Sequence, residues 1–212
     1  MKVAGLDEVG VGPLAGPVVA VAAVYDDLVC PFPELFARVV RVKNHCYRDS
    51  KQLSPTVRER LFEPLIDTAI DVGIGWSTPE EVDRLEIPVA HKQALRRAVQ
   101  DLEVDPDIVI VDGEKHKLRA LGLPQLALNK ADLQWWQVSA ASIIAKVWRD
   151  RLMREYAALY PGYRFETNVG YPTAHHLEGL KNQGATPIHR MRYTEQFLDK
   201  KAPYRSSRRA SF

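Results

Sequence analysis

Asp7 and Glu8 stand side by side at the end of a short apolar run, KVAGLDE, and two further acids hold comparable positions later in the chain. Asp112 closes the run DIVIVDG at 107–113, and Asp132 closes LPQLALNKAD at 123–132, just ahead of a long helical pattern. An acid that ends a strand delivers its carboxylate to the sheet edge, and acids ending neighbouring strands converge there. Converging carboxylates repel one another unless a positive charge occupies the centre. Hard divalent ions, Mg2+ or Mn2+, suit that centre because they take carboxylate oxygen and keep open water positions. Taken singly, each acid reads equally well as a cap on a strand or turn. Together, Asp7, Glu8, Asp112 and Asp132 point to a metal-dependent site.

Other residues add binding chemistry. The stretch GLDEVGVGPLAGP places Gly10 and Gly12 directly after the acid pair, where missing side chains let a ligand approach backbone N–H groups. Alone, G-x-G reads as a tight link between two strands. In VSAASIIAKVWRD, Ser139, Ser142, Lys146 and Arg149 follow spacings of three, four and three and share one helix face. Hydroxyls near the helix start and cations further along can track phosphates, or can simply face water. Lys51, in RDSKQLSP, is a further candidate phosphate contact. Tyr171 lies between Gly170 and Pro172, a setting that presents a ring for stacking on a sugar or base. His175 and His176 lack partners at zinc-ligand spacing and read as solvent-facing or structural.

These residues need a sheet and helices to position them. Residues 2–8 read as a strand, and PVVAVAAVY at 17–25 as a buried one, with the Gly/Pro link making them hairpin neighbours. Ser54 and Pro55 start a helix that Pro64 should kink or end. A third strand follows at 69–77, short helices begin at 78 and 88, and strands at 107–113 and 123–132 precede a long helix over 138–160. Pro161 and Gly162 stop it, and a helix over 173–183 is expected in the loop-rich remainder. The order implies an α/β fold with a mixed sheet. The expected division is a catalytic domain over 1–160, a substrate-contacting appendage over 161–198, and a disordered basic tail over 199–212.

Composition agrees with a globular protein: 46% of the 212 residues are hydrophobic and 26% charged, enough of each for a core and a wetted surface. The tail KKAPYRSSRRASF carries Lys200, Lys201, Arg205, Arg208 and Arg209 without an acid, which outweighs the whole chain's net charge of +2 and leaves the body slightly acidic. Cys30 and Cys46 form no C-x-x-C pair and imply no disulfide. Met1 and Lys2 lead straight into the first strand, and no apolar run approaches spanning length, so a cytoplasmic protein without a membrane partner is expected. No G-x-x-x-x-G-K-[ST] loop is present to suggest small-molecule phosphate transfer.

The blocks DEVGVGPLAGP, RDSKQLSP, VIVDG, NKAD, VSAASIIAKVWRD and GYPTAHHLEGLKNQGATPIHR resemble, in that order, the type 2 ribonuclease H family, ribonuclease HII. The resemblance covers most of residues 2–193. It implies a ribonuclease H-like fold, a five-stranded mixed sheet flanked by helices, with a small helical C-terminal region. It also implies an endonuclease that cleaves RNA in RNA–DNA hybrids and incises 5′ to ribonucleotides embedded in duplex DNA. Two-metal hydrolysis would leave 3′-hydroxyl and 5′-phosphate ends, with Mg2+ or Mn2+ held by Asp7, Glu8, Asp112 and Asp132. By the same resemblance, Gly10, Val11 and Gly12 read the ribose 2′-hydroxyl through their backbone and Tyr171 stacks at the RNA-to-DNA junction. Lys51, Ser139, Ser142 and Lys146 lie where the family contacts phosphates, and a monomer is expected.

The family's usual loop is G-R-G, whereas this chain has Val11 at the centre. The related type 3 enzymes carry D-E-V-G-T-G but lack the junction tyrosine, so the resemblance remains to type 2. A valine cannot pair with a phosphate. The altered loop therefore keeps one alternative open: a nucleic-acid-binding protein of the same fold with weak or lost catalysis.

Overall fold

The computed structural model describes residues 1–31, 34, 53–119 and 121–198. Lys51, Cys46 and the basic tail fall outside them. The chain divides into two compact units, one formed by 1–9, 19–76 and 91–148, the other by 10–18, 77–90 and 149 onward.

The first unit is built on a five-stranded sheet ordered β3-β2-β1-β4-β5. β1 (Lys2–Val9) runs antiparallel to β2 (Val18–Asp26), with Lys2 opposite Asp26 and Val9 opposite Val19. This is the pairing that the short Gly/Pro link requires. On its other edge β1 runs parallel to β4 (Ile108–Asp112), and β4 runs parallel to β5 (Gln125–Leu128), so the sheet is mixed as expected. β3 (Asp71–Ser77) lies beside β2. Every residue of β2 up to Tyr25 is buried, which explains why its sequence is continuously apolar rather than alternating.

Helix α1 (Pro55–Asp67) starts where expected, with the Ser54 hydroxyl accepting the Val57 N–H at 3.3 Å. It continues past Pro64 for most of a turn and does not end there. Burial of Leu61, Phe62 and Leu65 against β2 and the long helix offsets the one ladder bond that proline removes. That long helix, α4 (Trp136–Leu159), contributes Ala140, Ile143, Ile144 and Val147 to the same cluster as Val21, Ala23 and Tyr25. Its start lies hard against β1: a Cβ on Gly5 would sit 2.1 Å from the carbonyl carbon of Gln137, so only glycine fits. α2 (Pro79–Leu85) opens with a capping box between Thr78 and Glu81, and α3 spans Ile87–Gln100.

The second unit packs Leu14, Ala15, Met153, Tyr163, Phe165, Leu180, Ala185 and Ile188 around short helices α5 (Phe165–Asn168), α6 (Ala174–Gln183) and α7 (Met191–Thr194). Segment 10–17 threads into it by main-chain bonds, with the Leu14 N–H on Gly170, the Gly16 N–H on Ile188 and the Arg190 N–H on Leu14. The Asp83 carboxylate accepts the N–H groups of Met191 and Arg192.

His176 is structural, as its spacing suggested, and has a partner the sequence did not reveal. Its Nδ1 donates to the Tyr171 carbonyl at 2.8 Å, so its Nε2 accepts from His189 Nε2 at 3.0 Å. His189 Nδ1 then accepts the Thr186 N–H at 2.9 Å. Burial, and secondarily the neighbouring imidazole, pushes His189 down from 6.5 to about 3, and burial lowers His176 as well. Between pH 6.5 and about 3 the unfolded chain therefore binds more protons than the native one, and stability falls as the pH drops through that window. For His189 the loss approaches about 1.4 kcal/mol per pH unit. Thermal melts from pH 7 to pH 4 should show this decline, and His189→Gln should flatten it; equal slopes in both proteins would assign the acid sensitivity elsewhere.

Candidate active site

The parallel register of β1 and β4 places Leu6 opposite Val111, so Asp7, near the end of β1, neighbours Asp112, the last residue of β4. Asp7 is 6% exposed and Asp132, on the 3-10 turn Ala131–Leu133 before α4, is 8% exposed. Asp112 is oriented by accepting the Ala131 N–H at 2.7 Å, a bond that also ties β4 to the turn carrying Asp132. Asp7 accepts the Glu8 N–H at 2.8 Å and a hydrogen bond from Ser142.

Burial raises the Asp7 carboxyl well above the usual aspartate range, and the negative charges of Glu8 and then Asp112 raise it further. The bond from Ser142 and the Glu8 N–H oppose this but do not cancel it. A set of carboxylate oxygens that raise one another's proton affinity fits a divalent cation, because the cation offsets the mutual repulsion.

The first unit thus contains all four expected acids, together with Ser139, Ser142 and Lys146 on α4. Ser139 is fully buried, Ser142 serves Asp7, and Lys146 is half-buried. The second unit contains Gly10, Val11, Gly12 and Tyr171. Tyr171 is 42% exposed, and a Cβ on Gly12 would lie 3.6 Å from its Cε1, so the ring borders the glycine loop. The loop also lines an apolar cavity of about 360 Å³ with Pro172, Tyr193 and Phe197.

Arg149 does not belong to a phosphate-tracking face. It is fully buried, and its guanidinium donates to the carbonyls of Pro17, Val169 and Ala15 at 2.9–3.0 Å. Arg190, also fully buried, donates to the carbonyls of Gly10, Val11, Pro13 and Gly16. Burial lowers Arg149 to about 10, and burial together with the charge of Arg149 lowers Arg190 to about 9. Both remain guanidinium ions near neutral pH. While Arg190 takes the Gly10 and Val11 carbonyls, the Val11 and Gly12 N–H groups have no partner among the described residues. Helical spacing put Arg149 on a polar stripe but could not show that carbonyls would cover it.

Two histidines near the acids went unread in the sequence. His91, on α3, and His116, on the 3-10 turn Glu114–His116, have ring centroids 4.2 Å apart, and His91 Nε2 lies 3.1 Å from Glu8 Oε2. The spacing of His116 four residues after Asp112 was a signal available in advance; His91, inside a helix, offered none.

A family profile for ribonuclease HII matches residues 4–196. A ribonuclease HII of Pediococcus pentosaceus is 44% identical over 191 residues, 90% of this chain and 69% of the relative. One of Thermotoga petrophila is 44% identical over 90% of this chain and 72% of the relative. Among solved structures, the ribonuclease H2 of Pyrococcus horikoshii shares 32% identity with a TM-score of 0.70, covering 93% of this chain and 99% of that one. The RNase HII of Archaeoglobus fulgidus, solved as a PCNA complex, shares 27% identity with a TM-score of 0.74, covering 94% and 98%. The chain belongs to the ribonuclease HII family. It is a ribonuclease H-type endonuclease, a hydrolase of a divalent-metal-dependent family that acts on RNA–DNA substrates. No helix among the described residues is long and apolar enough to cross a membrane.

The carboxylate repulsion has a measurable consequence in the metal-free protein. Because the native Asp7 binds a proton more tightly than the unfolded one, its contribution to stability is lost as pH rises from 3.8 through its raised native value. In EDTA, Asp7→Asn should melt higher than the unsubstituted chain at pH 7, and the gap should close toward pH 4. Added Mg2+ should stabilise the unsubstituted chain more than the variant. A lower melting temperature for Asp7→Asn at pH 7 would contradict this account.

Proposed function

We propose that the chain cleaves the RNA strand of RNA–DNA hybrids and incises 5′ to ribonucleotides embedded in duplex DNA, leaving 3′-hydroxyl and 5′-phosphate ends. The observation that carries the reading is the set of buried, mutually repelling carboxylates at the ends of β1 and β4, whose charge calls for cations. Asp7, Glu8, Asp112 and Asp132 hold Mg2+ or Mn2+. Bound there, the ions supply an activated water and charge stabilisation at the leaving 3′ oxygen. Ser142 orients Asp7, and the Ala131 N–H orients Asp112. The loop Gly10-Val11-Gly12, with its Gly10 and Val11 carbonyls tied by Arg190, presents N–H groups to a ribose 2′-hydroxyl, the group that separates RNA from DNA.

Tyr171 stacks at the RNA-to-DNA junction, and Lys51 and Lys146 are the phosphate contacts of this reading; Ser142 instead serves Asp7, and Ser139 is fully buried. Residues 1–160 form the catalytic domain, 161–198 the substrate-contacting appendage and 199–212 a basic tail, in a cytoplasmic monomer.

A DNA duplex holding one ribonucleotide tests the reading. Mg2+ or Mn2+ should support a single nick 5′ to the ribonucleotide, with a 3′-hydroxyl end. Asp112→Asn should reduce turnover by more than about 100-fold, since even outer partners of a metal site are worth about 10–100-fold. Retained binding without incision in either metal would instead leave a non-catalytic nucleic-acid-binding protein.

Val11 is 37% exposed while its carbonyl is held by Arg190. An arginine there would extend from an anchored backbone. Val11→Arg should therefore tighten binding to that duplex by about 1 kcal/mol or less, and steepen its salt dependence by about one unit in the log–log slope. Identical affinity and slope would show that the central side chain does not reach the phosphates.

A further inference from the structure

Glu8, His91 and His116 each offer one donor atom, and these atoms all lie within 4.8 Å of one another. They come from three elements of the first unit: the end of β1, the body of α3 and the turn after β4. A tetrahedral ion bonded at about 2.0–2.2 Å needs donors roughly 3.4 Å apart. The Glu8–His91 pair, at 3.1 Å, is already at that spacing.

Two independent details point to a cation at this place. Glu8 Oε2 and His91 Nε2 are buried and make no hydrogen bond among the described residues, although they face each other at 3.1 Å. His91 is only 5% exposed, and buried polar atoms are rarely left in this state. His116, meanwhile, has the outer arrangement of a ligating imidazole. Its Nδ1 meets the Asp112 carbonyl at 2.8 Å and must donate to it, which leaves the Nε2 lone pair free. Gly113 makes room for that ring, since a Cβ there would lie 2.3 Å from His116 Nδ1.

We propose that Glu8, His91 and His116 form a binding site for a borderline transition-metal ion of the Zn2+ class. Two imidazole nitrogens and one carboxylate favour such an ion over Mg2+, which takes oxygen. Glu8 is common to this set and to the four acids assigned above. On that assignment of Glu8, a Zn2+-class ion competes with the hard ion for one carboxylate and restrains the nuclease.

Cobalt(II), which occupies zinc sites and absorbs visibly, is the probe. Titration into the full, chelator-treated chain should give a four-coordinate d–d band at one ion per chain that Zn2+ abolishes by displacement. His91→Gln and His116→Gln should each weaken Co2+ binding by at least about tenfold, whereas Asp132→Asn should keep the band. Circular dichroism checks folding, and if the buried His91 variant unfolds, the half-buried His116 variant decides. Absence of the band in the unsubstituted chain, or its retention at full affinity in the folded histidine variants, overturns the site. Incision in Mg2+ without the band would refute this site and keep the nuclease reading, and the band in the cobalt titration with no incision by the cobalt-free chain in Mg2+ or Mn2+ would do the reverse.

Discussion

Carboxylates at the ends of parallel strands carry the same charge into the same low-dielectric region, and the first unit is organised around that conflict. Asp7 and Asp112 cannot be moved apart without breaking the β1–β4 register, and β1 is held on its other side by the full length of β2. The sheet therefore keeps the repulsion in place. Ser142 and the Glu8 N–H reduce it locally, yet the Asp7 carboxyl stays raised well above the usual aspartate range. A structure that retains such an arrangement has its folding and its cation affinity coupled, because what destabilises the metal-free chain is what attracts the metal.

The glycine loop solves a different problem. Residues 10–17 form little regular structure, and a segment of this kind would ordinarily be held by its side chains. Here it is held by its carbonyls, through the buried guanidinium groups of Arg149 and Arg190. Each planar guanidinium distributes several donors over a curved backbone, which an ammonium could not match. Leu14 and Ala15 still pack in the core, but the Val11 side chain is released from structural duty and is 37% exposed.

His91 and His116 place nitrogen donors next to an oxygen-donor cluster. Hard and borderline ions then meet different ligands within one unit, with Glu8 shared between them. The geometry depends on Gly113, whose lack of a side chain lets the His116 ring turn back against the β4 terminus. Specific packing, and not the acids alone, sets what the cluster can bind.

Much of this molecule is legible in its sequence, for physical reasons that act locally. Alternation and continuous apolar runs mark strands, Ser54–Pro55 and Thr78 mark helix starts, and an acid after an apolar run marks a strand end; each depends on residues only a few positions apart. The five strands and the long helix were accordingly readable, but the strand expected over 123–132 stops at Leu128, and Asp132 sits on the 3-10 turn that follows rather than at a strand end. Contacts between residues more than a hundred positions apart were not. Arg149 shares a helix face with serines and a lysine, but its burial is decided by carbonyls of Ala15 and Pro17 arriving from the other end of the chain. Arg190 is decided the same way, and the His176–His189 pair and the approach of His91 to Glu8, though closer in sequence, also depend on how the chain folds back on itself. Residue types and short spacings determine which elements form and which groups are available. Only the tertiary fold determines which of those groups are spent on holding the structure and which remain to bind.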